Sequence, residues 1–109
     1  MATTYKVLGQ IAPSAASATT AYTVPSATQA VISTITACNQ GATSASVRIA
    51  VRPDGATLEA KHYIVYDVTL AAYETIGFTF GVTADASDVV TVYSSTANCS
   101  FNVFGTEIA

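Results

Sequence analysis

Val47-Arg48-Ile49-Ala50-Val51-Arg52 places an apolar side chain at every second position and a smaller or charged one between. Successive side chains of a strand point to opposite faces, so this period of two predicts one buried and one wetter face. The same reading extends outward along the chain. Ile76, Phe78, Phe80 and Val82 alternate with Thr75, Gly77, Thr79 and Gly81, and Cys99, Phe101 and Val103 alternate with Ser100 and Asn102. Residues 30–39 and 62–70 are rich in β-branched and aromatic side chains but less cleanly two-sided. Val31 and Ile32 point opposite ways, as do Ile64 and Val65, which suits a sheet covered on both sides.

Turn chemistry separates these runs. Asn39-Gln40-Gly41 closes one strand, and Arg52-Pro53-Asp54-Gly55 has Pro and Gly where a tight turn tolerates them. Strands are expected near 4–9, 20–24, 29–39, 45–52, 61–70, 74–82, 88–94 and 99–106. Eight short antiparallel strands without a useful helical period predict an all-β, single β-sandwich or jelly-roll-like domain spanning 1–109. The Ala/Ser/Thr stretch 14–20, after Pro13, reads as a loop or arm. Ile76, Phe78 and Phe80, with Phe101 and Val103, are the expected core.

The chain of 109 residues has room for one domain, and its charged fraction of 10% is well below that of ordinary soluble proteins. Half of its residues are hydrophobic, the reverse of a disordered composition. Its four cations, Lys6, Arg48, Arg52 and Lys61, against seven acids cannot form a phosphate-binding footprint, so no nucleic acid partner is expected. No polybasic membrane surface is expected on the same count. Mean hydropathy is +0.43, yet Ser, Thr, Gln, Asn and Pro interrupt every apolar run before it reaches a bilayer span. Residues 1–18 loosely imitate a signal peptide, but the apolar piece Val7–Ala12 is broken by Gly9 and Gln10. A soluble protein made in a cytoplasm is the expectation.

Catalytic chemistry finds no constellation. His62, the single histidine, lies in the run His62-Tyr63-Ile64-Val65-Tyr66 and reads as a structural hydrogen bonder. No Gly-x-Ser-x-Gly elbow presents a serine. Glu59, Asp67, Glu74, Asp85, Asp88 and Glu107 fall mostly at strand ends, where carboxylates face water. Asp85-Ala86-Ser87-Asp88 lacks the ligand density and the glycine of an EF-hand loop. Cys38 and Cys99 are too few for a disulfide framework and have no metal-ligand spacing. Alternation sets Cys38 beside Thr34 and Thr36 but Cys99 beside Phe101, so no bridge between them is expected. No enzyme, catalytic residue, metal or cofactor is expected.

A surface argument remains. The apolar and Thr/Ser/Ala strand faces exceed what a small sandwich can hide, and exposed apolar area marks interaction sites. Closed homo-oligomers commonly cover such area, so a homotrimer or other closed ring is expected. Tyr5, Tyr22, Tyr63, Tyr66, Tyr73 and Tyr93 suit interfaces, although core tyrosines capped by one hydrogen bond would read alike.

Taken together, several segments form a distinctive series: Lys6-Val7-Leu8-Gly9-Gln10, Ala21-Tyr22-Thr23-Val24-Pro25, Cys38-Asn39, Arg48-Ile49-Ala50-Val51-Arg52-Pro53 and Lys61-His62-Tyr63-Ile64-Val65-Tyr66-Asp67. Asp88-Val89-Val90-Thr91-Val92-Tyr93 and Ser100-Phe101-Asn102-Val103-Phe104-Gly105-Thr106-Glu107 complete it. Over nearly the whole chain this series resembles a family of short virion structural proteins of tailed bacteriophages, notably marine and cyanobacterial ones. The resemblance implies a β-sandwich component of the virion, assembled in the host bacterial cytoplasm. A capsid decoration or cement protein, or a neck or tail component, would fit it, with the major capsid or neck and tail proteins as partners. It carries over no functional residue. The alternative is a carbohydrate-binding or adhesive β-sandwich module, for which only Tyr73-Glu74 and residues 93–98 combine an aromatic with acids or amides.

Overall fold

Residues 2–109, described by a computed structural model, form nine strands. In chain order they are β1 (Thr3–Ile11), β2 (Thr19–Thr23), β3 (Gln29–Asn39), β4 (Ala45–Arg52), β5 (Tyr63–Leu70), β6 (Thr75–Phe78), β7 (Val82–Ala84), β8 (Val89–Ser94) and β9 (Cys99–Ile108). Two short 3-10 turns, Pro53–Gly55 and Ala60–His62, lie between β4 and β5. The strands pair antiparallel in two sheets. One has five strands in the order β1-β9-β3-β6 with β7 also on β3, and the other runs β2-β8-β4-β5. The fold is an all-β sandwich.

The alternation of β4 holds over residues 47–49 and then breaks, with Ala50 buried and Val51 half-covered. Val47 and Ile49 are buried, whereas Arg48 and Arg52 are only half-covered. Across the sandwich they meet Phe101, Val103, Ile32 and Ile35 from the five-stranded sheet, and Val90, Val92, Val24 and Leu70 complete the core. No helix among the described residues is long and apolar enough to cross a membrane.

The structure corrects five expectations. The run 74–82 is two strands, not one, so the count is nine. β6 pairs with Ile35–Cys38 and β7 with Ala30–Ile32, and Gly81 takes φ +66 in the break between them. That break swings Phe80 out to 55% exposure and leaves Ile76 and Phe78 at the rim, while Phe101 and Val103 hold the centre. Of the five expected core residues, Phe101 and Val103 are buried, Ile76 and Phe78 are partly buried and pack against the core, and Phe80 alone lies outside it. His62 lies in the 3-10 turn before β5 rather than in the strand, and Thr19 and Thr20 of the expected arm belong to β2. Finally, cover on both sides is only partial within one chain: Val31 and Ile64 face outward and are exposed, whereas Ala50, Val89 and Thr91 on the outer face of the four-stranded sheet are buried beside the two 3-10 turns.

Gly105 is required by a close approach. β3 bulges between Ile32 and Thr34, which brings the backbone of Val31 and Ile32 against β9, and a Cβ at Gly105 would overlap the Val31 carbonyl oxygen. The bulge and the glycine opposite it form one local solution.

Candidate interaction surface

The register of the five-stranded sheet decides which side chains share its outer face. β1 contributes Thr3, Tyr5, Val7 and Gln10, and β9 contributes Ser100, Asn102, Phe104, Thr106 and Ile108. β3 adds Gln29, Val31, Thr34, Thr36 and Cys38, and β6 and β7 add Thr75, Gly77 and Thr83. None of these side chains is charged. Tyr5 lies opposite Thr106 and Thr106 opposite Val31, while Val7 lies opposite Phe104, so the apolar members are neighbours. Two polar members are bonded: Gln10 Nε2 donates to Asn102 Oδ1 at 2.7 Å, and the Thr34 hydroxyl lies 3.1 Å from that of Thr79, just after β6.

The four-stranded sheet presents a different outer face. Arg48 stands between Tyr93 on β8 and the β5 bulge, where two residues, Tyr66 and Asp67, oppose it. Asp67 adopts φ +52 to make that bulge. Arg48 Nε donates to Asp67 Oδ1 at 2.6 Å, and the guanidinium lies 4.4 Å from the Tyr66 ring centroid and 4.2 Å from that of Tyr93. The Asp67 carboxylate holds this guanidinium charged well beyond its usual range. Tyr63 meets the Tyr66 ring edge-on at 5.0 Å, and beside them Leu58, Glu59 and Ala60 complete an open groove. Tyr and Arg in such clusters are the residue types that dominate interface hot spots.

The acids singled out from the sequence are dispersed, and two of them cap nearby backbone. Asp88 accepts the backbone N–H groups of Asp54 and Asp85, both at 2.8 Å, and Glu74 accepts that of Ala71 at 2.8 Å. His62 is buried, and its Nδ1 accepts the Glu59 N–H at 3.0 Å, so its ring proton sits on Nε2. Among the described residues no three His, Cys, Asp or Glu side chains gather as a metal site would require. Cys38 pairs with Ser100 and Cys99 with Asn39, which puts the two free thiols on opposite faces of one sheet. Tyr22 is the one buried tyrosine; Tyr63 and Tyr93 are half-buried, and Tyr5, Tyr66 and Tyr73 are exposed.

Between β1, β2 and β9 a polar cluster closes one margin of the sandwich. Glu107 Oε1 lies 2.8 Å from Lys6 Nζ, and Tyr22 donates its hydroxyl to Glu107 Oε2 at 2.6 Å. The Lys6 ammonium, then the Tyr22 hydroxyl, hold the Glu107 carboxyl below its usual range against the opposing effect of burial. Burial and the neighbouring carboxylate push the Tyr22 hydroxyl upward, so it stays a donor. A carboxylate depressed on folding stabilises above its unfolded pKa, and the stabilisation is lost as pH falls through the lower folded value. Wild-type stability is thus expected to fall on acidification through the carboxylate range, and Glu107→Gln to reduce the slope. Denaturant midpoints at pH 7, 4 and 3 check this, and equal slopes for both proteins would remove the carboxylate from the account.

Sequence reasoning missed this cluster and the Arg48 clamp, since residues 6, 22 and 107, or 48, 66, 67 and 93, carry no local signal. No protein-family model matches the chain, and no curated protein matches it either.

Proposed function

We propose that this chain is a structural component of a bacteriophage virion, working by contact with copies of itself and with other particle proteins. A capsid decoration or cement protein is one form of this role, and a neck or tail component is the other. The observation that carries the reading is the outer face of the five-stranded sheet, on which no side chain is charged although Tyr5, Val7 and Val31 are exposed. Such a face is costly to leave in water and favourable to cover with another surface of its own kind. The whole-chain resemblance to short phage virion proteins supports the same role. So does the absence of ion pairs from this face, because a durable assembly must tolerate changes of salt. A trimer or other closed ring would cover the face without open-ended growth.

Contacts made through this face are expected to be insensitive to screening, which weakens exposed charge pairs and leaves apolar burial intact. Light scattering on the purified protein should give association constants that agree within roughly three-fold between low and high salt. Mass spectrometry of purified particles should find the protein there. A monomer at high concentration, absent from particles, would overturn the reading.

The groove beside Tyr63 and Tyr66 favours a second reading, an adhesive or sugar-binding module, because aromatic rings next to the Glu59 carboxylate could receive a sugar. Of the two combinations noted in the sequence, Tyr93 has one ring face against Arg48, as Tyr66 also does, and the Glu74 carboxylate is bonded to Ala71. Glycan binding lost in Tyr66→Ala would favour this module over the particle component.

A further inference from the structure

Each sheet of a sandwich has two edges, and an edge strand offers unpaired N–H and C=O groups to any extended chain. Three of the four edges here are blunted. β2 has only five residues and a register shift between Thr20 and Tyr22. β5 is bent by its bulge, with Asp67 at φ +52. The β6 and β7 side is split into strands of four and three residues. β1 differs from all of them, with nine residues, and Thr3–Val7 run in unbroken register with β9. All five are exposed, Tyr5 at 82%. Beyond Val7 the register with β9 is broken by a bulge, and at Gly9 the Ala21 carbonyl of β2 packs against the inner face of β1.

Lysine on an edge strand ordinarily repels a second strand. The only charge in this segment is Lys6, and its ammonium is already bound to Glu107 across the sandwich margin. The protection that the residue type would give is thereby withdrawn.

We propose that β1 pairs antiparallel with β1 of a second copy about a two-fold axis at Tyr5, joining two five-stranded sheets into one. The partner is a second copy because the segment is complementary to itself in this register. Tyr5 meets Tyr5 of the second copy, Thr3 meets its Val7, and Thr4 meets its Lys6, with no like charges opposed. A two-residue shift that centres the pair on Lys6 would set ammonium against ammonium, which disfavours it. A one-residue slip would turn the uncharged outer face of one copy to the opposite side from that of the other. The favoured register instead makes one continuous uncharged face from two. The inference rests on the self-association in the proposed function. A two-fold pair is the smallest closed assembly, and larger closed ones can be built from it.

The test uses the full chain in a Cys38→Ser background. Tyr5→Cys should form a disulfide-linked dimer under mild oxidation, because directly opposed Cβ atoms are within bridging reach. Gln10→Cys, on the same outer face but far from the axis, should not. Tyr5→Lys should weaken self-association by roughly ten-fold or more in sedimentation equilibrium, with unchanged circular dichroism. Tyr73→Lys, exposed in a loop, should leave association as it was. Equal cross-linking at positions 5 and 10, association undiminished by Tyr5→Lys, or a trimer without the position-5 link would each overturn the pairing. Should the pairing fail while the protein is still found in particles, the virion reading stands. A pair in solution with no protein in particles removes the virion reading alone.

Discussion

Replacing Phe101 by alanine is expected to lower stability by about 3–5 kcal/mol. The ring is the largest fully buried side chain, at 0% exposure, on the inner face of β9 between β1 and β3. Ile11 and Ala37 lie opposite it on those two strands, and both strands are held in register by β9, so the site cannot collapse without breaking a ladder. A cavity would then remain, adding its own cost to the lost transfer free energy. Small domains are stable by about 5–15 kcal/mol, so a loss of this size would leave many chains unfolded at physiological temperature. Phe78→Ala is expected to cost less, about 1–2 kcal/mol, because that ring sits at the rim with one side in water. Denaturant unfolding of both variants, read as midpoint shifts at constant m, checks the ordering. A loss below about 1 kcal/mol for Phe101→Ala would displace the ring from the centre of the core.

Asn39→Asp is expected to cost a similar amount, about 3–5 kcal/mol at neutral pH, for an electrostatic reason. Asn39 ends β3 at 1% exposure. Its Nδ2 donates to the carbonyls of Thr43 at 2.8 Å and Ala71 at 3.1 Å, and its Oδ1 accepts the Gly41 N–H at 3.0 Å. One side chain thus ties the turn after β3 to the turn after β5. Aspartate would keep the Gly41 bond but set an anionic oxygen against two carbonyl oxygens in a dry site. The carboxyl would resist ionising, so its folded pKa would be raised. Its stabilisation would then be present below the unfolded value and lost as pH rises through the folded one. The deficit against wild type should therefore shrink as pH is lowered from 7 towards 4. A deficit independent of pH would show that the loss comes from packing and not from buried charge.

These two sites differ in how much of them can be read from the sequence. Phe101 announces itself, since Cys99, Phe101 and Val103 alternate with Ser100 and Asn102, and the period alone turns the ring inward. Asn39 does not. Asn-Gln-Gly reads as the end of a strand, which is correct, but the Ala71 carbonyl reaches Asn39 only when β3 and β5 lie in facing sheets. The same limit hides the interaction surface. Each Thr and Tyr of the outer face is visible in the sequence, yet that they share a face free of charge depends on the β1–β9–β3 register. The bulges at Val7–Gly9 and Ile32–Thr34 shift that register by a residue where alternation would carry it straight on. The one long alternation that misled, 74–82, is broken because its two halves pair with different parts of β3.

By itself the sequence determined that the chain is all-β, that its strands are two-faced, and that the molecule carries few charges. Those are local properties, set by one side chain after the next and by the fixed geometry of an extended backbone. Only the tertiary structure decided which strands are neighbours. Of the connections between successive strands, β4 to β5 alone joins a hydrogen-bonded pair, and most of the others carry the chain from one sheet to the other. Alternation marks which side of a strand seeks the core but is identical for every candidate partner. The choice among partners is made by the fit of bulges, glycines and buried polar groups across distant segments, and that fit exists only once the segments have met.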